Sequence, residues 1–203
     1  MRIASVVMGK RKKKETVLRM IEKLIDKIRE DEGNWDRFGG IFVERKIESK
    51  TVLLNAGEIA NYVHFIKKGC IREWFNKNGK DITFQFFTEG QPVSSIDSFM
   101  NCKPSLFSIE SIEPSTIISI RKDDIEKLFS VYPELKDRFH NFIFQRFRNY
   151  AQLFLSRITD SPKERYDDLL KNNPEIIKRI PQHYIASFLG VTPVSLSRIR
   201  NKK

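Results

Sequence analysis

The sequence predicts an α+β chain: an antiparallel roll of short strands, then a long helix, then a small terminal pair of crossing helices. Three observations carry this expectation. Between residues 41 and 120, short runs rich in Val, Ile, Phe and Thr alternate with turn residues at close spacing. Between residues 134 and 158, apolar side chains cover most of the circumference of a helix. From Gln182 onward, Ile185, Ala186 and Leu189 form one short helical stripe and Leu196 and Ile199 a second, with Gly190 and Val191 at the turn between them.

Residues 15–30 read as an amphipathic helix, with Val17, Leu18, Met20, Ile21, Leu24, Ile25 and Ile28 on one broad face. Gly33, Asn34, Gly39 and Gly40 then break the pattern over residues 31–40. Strands are expected at 42–47, 51–54, 63–67, 70–75, 82–87, 106–112 and 116–120. Gly57, Gly69, Asn78-Gly79 and Gly90 punctuate them, and Asn78-Gly79 is a strong hairpin signal because both residues tolerate positive φ. Strands this short and this close imply an antiparallel barrel or sandwich rather than a parallel sheet.

Residues 123–131 form a short helix, which Tyr132-Pro133 ends while placing a proline in the first turn of the next. That next helix carries Phe139, Phe142, Ile143, Phe144, Phe147, Tyr150, Leu153, Phe154, Leu155 and Ile158. They span nearly double the arc of about 100° that a surface helix needs. Such a helix must be covered from two directions. The roll covers one, and the simplest cover for the other is the same helix of a second subunit. Phe139, Phe142, Ile143, Phe147, Tyr150, Leu153 and Phe154 are therefore the candidate dimer residues; a core helix inside a monomer is the alternative. Arg146 and Arg157 interrupt the stripe.

Thr159-Asp160-Ser161-Pro162 marks a boundary. Ser161 is a natural N-cap, with Pro162 at the first helical position and Glu164 completing a capping box. The helix 162–172 offers Tyr166, Leu169 and Leu170 to a small terminal core, and Asn172-Asn173-Pro174 and Arg179-Ile180-Pro181 are further stops and starts. The expected division is a basic arm and helix (1–40), the roll (41–121), helices including the dimer helix (122–158) and a helix-turn-helix module (159–203).

The terminal module has a steric logic. Ala186 is small enough for close helix packing, and Gly190 can take the positive φ of the turn. Leu196 and Ile199 seat the second helix, leaving Thr192, Ser195, Ser197, Arg198 and Arg200 facing outward. Such a helix is shaped and charged for the DNA major groove; an ordinary αα-hairpin with a basic tail is the bland alternative. Charge points the same way. The chain is 203 residues long with net charge +11. Residues 161–203 carry nine Lys/Arg against four acids, whereas residues 41–120 carry nine of each. Residues 1–14 add six positives and no acid, a run that reads more readily as a solvated start than as a phosphate contact.

Other function classes find little support. Cys70 and Cys102 lie far apart, without a CxxC, and read as small buried hydrophobes of a reduced, cytoplasmic protein. No apolar stretch approaches a membrane span, and the apolar-then-basic start reverses a signal peptide's order. His64, His140 and His183 are scattered, Ser94, Ser95 and Ser105 have no partnered base, and no phosphate-binding glycine motif occurs. The expectation is no enzyme, no metal and no resident cofactor. A ligand-gated protein-interaction module without sequence-specific DNA binding remains the competing functional class.

Taken in order, the amphipathic start, short-stranded roll, long helix and terminal helix pair resemble the Crp/Fnr family of bacterial transcription regulators. The segment SPKERYDDLLKNNPEIIKRIPQHYIASFLGVTPVSLSRIR resembles one branch of that family closely. The resemblance implies a cupin-like, cyclic-nucleotide-binding-like β-roll, a parallel homodimer through the long helix and palindromic double-stranded DNA sites, with RNA polymerase a further partner of such a regulator. It also gives Arg198 a base-reading role, where its fork fits guanine O6 and N7. Pro193 and Val194 occupy the two base-reading places before it, so Val194 is left to touch a thymine methyl. Gln182, His183, Thr192, Ser195, Arg200 and Lys202 are the expected backbone contacts, and Ser197 shares the outward face.

Two departures qualify the resemblance. Cyclic-nucleotide binders carry a glutamate for the ribose and an arginine for the phosphate. Those places fall near Ser95 and Ser105 here, and the only basic residue from Gly90 to Ile109 is Lys103. Without a guanidinium the phosphate loses its strongest partner, so cyclic AMP and GMP are not expected. Gly90, Ser94, Ser95, Phe99, Ser105, Leu106 and Phe107 either hold an unidentified, neutral or weakly polar small-molecule effector or are simply filled by Phe99, Leu106 and Phe107. The second departure is that Lys203 follows the recognition helix directly, so the family's usual β-hairpin wing is absent or much reduced.

Overall fold

A computed structural model describes residues 17–201. Among the described residues, 17–75 with 86–137 form one compact unit, and 76–85 with 138–201 form the other.

In the first unit, α1 (Val17–Arg29) buries Leu18, Ile21, Leu24 and Ile28, one face of the expected amphipathic helix. Residues 31–40, expected to be broken, instead form α2 (Glu32–Phe38) and a 3-10 turn (Gly39–Ile41). The Asp31 carboxylate caps α2 by accepting from the Asn34 N–H at 3.0 Å. The strands are β1 (Val43–Ile47), β2 (Val52–Leu54), β3 (Tyr62–Lys68), β4 (Ile71–Lys77), β5 (Lys80–Phe87), β6 (Pro92–Val93), β7 (Ser108–Ser111) and β8 (Ser115–Arg121). They pair as two four-stranded sheets, ordered β1-β8-β3-β6 and β2-β7-β4-β5. The described pairings are antiparallel. Ile66, Ile71, Phe86, Phe87, Ile109, Ile117 and Ile120 are fully buried and fill the roll.

Several expectations are corrected here. Between the strands expected at 82–87 and 106–112, where no helix is expected, the serine-rich stretch 94–98 leads into helix α3 (Ile96–Asn101), with Ser95 at the N-cap position. Leu106 does not fill the roll but is 84% exposed, and the strand expected from residue 106 starts at Ser108. Cys70 is buried as expected, whereas Cys102 is exposed, at φ 53, with the Lys122 ammonium 3.2 Å from its sulfur.

Serine hydroxyls tie the roll's loops to α3 and β7. Ser98 accepts from the Ala60 N–H and Ser108 from the Ala56 N–H, each at 2.9 Å. Ser111 accepts from the Thr51 N–H at 2.9 Å and donates to the Glu48 carbonyl at 2.6 Å. Main-chain groups buried at these bends need a partner, and a short hydroxyl fits where a longer side chain cannot. One buried ion pair, Arg72 to Glu110 at 3.0 Å, joins facing residues of β4 and β7. Helix α4 (Lys122–Val131) follows β8.

Helix α5 (Glu134–Thr159) runs into the second unit. There α6 (Pro162–Asn172) starts at the expected capping box, with the Ser161 N–H donating to the Glu164 carboxylate at 2.7 Å. Next come α7 (Pro174–Arg179), α8 (Gln182–Leu189) and α9 (Pro193–Asn201). Their core is Tyr166, Leu169, Ile176, Ile185, Phe188, Leu189 and Leu196; Leu170, expected in it, is 45% exposed. Among the described residues no helix is long and apolar enough to cross a membrane.

Candidate functional site

The α8–α9 pair is built around its turn. Gly190 sits at φ 70, and a Cβ there would come within 3.2 Å of the Arg157 guanidinium. The Val191 N–H donates back to the Ala186 carbonyl at 2.9 Å. Two arginines meet the carbonyl end of α8: Arg157 donates to the Phe188 carbonyl, and Arg165 to that of Leu189 at 2.8 Å. The last carbonyls of a helix lack intrahelical partners and sit at its negative end, so guanidiniums suit them. Burial, and then the charge of Arg165, pushes the Arg157 pKa down to about 10, which leaves it charged at neutral pH. Arg157, which in the sequence only interrupts an apolar stripe, therefore fastens the turn of the helix pair to α5.

Helix α9 is capped by its own hydroxyls. Thr192 Oγ1 accepts from the Ser195 N–H at 3.1 Å and donates to Ser195 Oγ at 3.0 Å. Ala186, Leu189 and Leu196 bury the seam between the helices, while Ser197, Arg198 and Arg200 point away from it and Val194 is 62% exposed. Gln182 and His183 are exposed at the start of α8. Lys202 and the basic run of residues 1–14 lie outside the described residues.

Along α5, Phe144, Phe147, Phe154 and Ile158 present large apolar surfaces, with Phe154 65% exposed. Arg146 is buried and donates to the Tyr150 hydroxyl at 2.7 Å.

In the roll, Ser95 and Ser105 are buried and bonded to each other, Oγ to Oγ at 2.9 Å. Phe99 is buried, Phe107 is half-buried, and Lys103 is exposed. The Gly90 N–H donates to the Ile66 carbonyl at 2.9 Å. A cavity of about 150 Å³ is lined by Leu54, Ala60, Tyr62, His64, Ser94 and Ile109 among others; of the candidate effector residues, Ser94 alone lines it. Beside it His64 is buried, Nδ1 lies 2.9 Å from Ser119 Oγ, and the ring stacks on Tyr62 at 5.9 Å. Burial, and then the Arg45 charge, pushes the His64 pKa down to about 3, so the ring is neutral. Its place at a cavity is not legible in the sequence, where the one signal is a histidine inside the apolar run Val63-His64-Phe65-Ile66.

Residues 44–132 match the cyclic nucleotide-binding domain family. A comparison with curated protein sequences found no match. Among solved structures, FixK2 of Bradyrhizobium japonicum superposes with a TM-score of 0.66 at 16% identity, over 80% of this chain and 84% of that one. The c-di-GMP-responsive global regulator CLP of Xanthomonas campestris gives 0.64 at 15% identity, over 85% and 91%. A chain of Eubacterium rectale described as a transcriptional regulator of the Crp/Fnr family gives 0.66 at 15%, over 83% and 81%. At such identities the likeness is one of fold. The chain thus shares the overall fold of these solved structures, and within it residues 44–132 are similar to cyclic nucleotide-binding domains.

Proposed function

We propose that the protein is a homodimeric, sequence-specific DNA-binding transcription regulator whose roll senses something other than cyclic AMP. The observation that carries this is the α8–Gly190–α9 pair, with a buried seam and Val194, Ser197, Arg198 and Arg200 turned outward. In this reading Arg198 reads a guanine edge and Val194 a thymine methyl. Gln182, His183, Thr192, Ser195, Arg200 and Lys202 bind phosphates. The exposed aromatic face of α5 supports pairing with a second copy, and a two-fold dimer reads a palindrome with half-sites about one helical turn apart. The proposal includes no catalytic step.

The residues at the cyclic-nucleotide places do not fit an anionic phosphate. Ser95 and Ser105 satisfy one another, and the nearest basic residue in sequence, Lys103, faces solvent. The cavity beside neutral His64 suits a small neutral ligand. The decisive experiment selects duplexes from a random pool with the purified protein and measures binding across a salt series. Enrichment of a palindrome, with affinity falling steeply as salt rises, supports the reading. A protein-interaction module would enrich nothing and show no salt-dependent duplex binding.

A further inference from the structure

The hairpin of β4 and β5 is joined to α8 through one side chain. Ser187 accepts from the Thr83 N–H at 2.9 Å and donates to the Asp81 carbonyl at 2.9 Å. One hydroxyl thus bonds both a donor and an acceptor of β5, an edge strand of its sheet. Thr83 is fully buried. Residues 76–85 belong to the same compact unit as the terminal helices. Ser187 lies four residues after His183, hence on the same face of α8 and about one turn along it.

The tip of this hairpin is basic. Asn78 at φ 53 and Gly79 at φ 77 form a two-residue turn, tightened by the Gly79 N–H donating to the Asn76 amide oxygen at 3.0 Å. Lys77 and Lys80 flank it; both are exposed, and neither makes an ion pair among the described residues. The adjacent Asp81 carboxylate accepts from Asn76 Nδ2 at 3.1 Å. Two ammonium groups at the ends of a two-residue turn oppose one another across the ladder, which destabilises a free hairpin. A polyanion lying against them removes that repulsion. From Thr83 to Lys80 the strand extends roughly 10 Å, or about three base-pair steps of DNA.

We propose that the hairpin tip is a second phosphate-binding element: Ser187 docks it on α8, and Lys77 and Lys80 hold the DNA backbone that flanks the half-site read by α9. This rests on the DNA-binding reading above and extends its footprint beyond the terminal helices.

The test measures the slope of log affinity against log salt on two duplexes, one selected by the wild-type protein and one unrelated. Lys77→Ala with Lys80→Ala should lower the slope by about 1.8 per protomer, about 0.9 for each phosphate no longer neutralised. Affinity should fall by the same factor on both duplexes, because phosphates carry no sequence. Ser187→Ala, which removes no charge, should lower the slope in the same direction by releasing the hairpin. Ser187→Thr, which keeps the hydroxyl, should restore it. A wild-type protein that binds DNA with a slope the lysine variant leaves unchanged overturns the proposal and leaves the DNA-binding reading standing. So does a slope that responds to the lysines but not to Ser187→Ala. A wild-type protein that binds no duplex at all refutes the underlying reading instead.

Discussion

If α5 is the seam of a homodimer, Phe154→Asp should abolish it. Phe154 is 65% exposed in the single chain. A phenylalanine contributes roughly 200 Å² on burial, so a partner helix would remove about 130 Å² of its surface from water. At about 25 cal/mol per Å² that is about 3 kcal/mol, and about 6 kcal/mol for the two copies of a symmetric seam. Association costs and incomplete burial reduce such figures by about half, leaving about 3 kcal/mol, or roughly two orders of magnitude in the dimer dissociation constant. Aspartate adds the cost of desolvating a carboxylate, so that figure is a lower bound. Phe154→Ala should weaken the dimer less. Sedimentation equilibrium of wild type and both variants, with circular dichroism to confirm helix content, measures this directly. A wild-type protein that sediments as a monomer at micromolar concentration refutes the reasoning, as does a Phe154→Asp protein that dimerises as tightly as wild type.

Arg198→Ala should cost about 1–3 kcal/mol on the selected DNA site and little on unrelated duplex; equal losses on both would reduce Arg198 to a phosphate contact. His64 titrates near 6.5 in the unfolded chain and about 3 in the folded one. The unfolded state therefore binds more protons between those values, and stability falls as pH drops from 6.5 toward 3. The slope from this one residue approaches about 1.4 kcal/mol per pH unit, and urea unfolding of His64→Phe across that range should lack that share. An unchanged slope would contradict the burial of a neutral ring. Cys102 should react with a thiol reagent in the native protein and Cys70 only after unfolding; simultaneous labelling of both would show that Cys70 is accessible.

The parts of the fold legible in the sequence are those with local causes. Strand cores, the Asn78-Gly79 turn and the Ser161 capping box each follow from residues within a few positions of one another. Helix α3 is hidden because Ser94, Ser95 and Ser98 read as a loop, whereas their hydroxyls are consumed by contacts with Tyr62, Ser105 and Ala60. Strand β6 is too short to have a period and opens on a proline. Helix α2 is masked by Gly33, although Asp31 supplies an ordinary cap. The outward face of α9 can be read from its helical stripe. Two other features cannot: the cavity that joins His64 to Ser94, and the seating of Ser187 on a hairpin more than one hundred residues away. Each depends on tertiary neighbours that no local pattern encodes.

The hydroxyl ties of the roll have a practical consequence for anyone handling the protein. Uncharged hydrogen bonds at Ser98, Ser108 and Ser111 are indifferent to ionic strength, and the Arg72–Glu110 pair is buried beyond the reach of mobile ions. In the proposed DNA-binding reading, the phosphate contacts of Arg200 and the rest of the terminal helices are the opposite case, weakening by orders of magnitude over a modest salt range. Raising sodium chloride should therefore strip the protein from nucleic acid while its melting temperature scarcely moves. Purification in strong brine, followed by dilution, should return a fully folded and fully competent preparation.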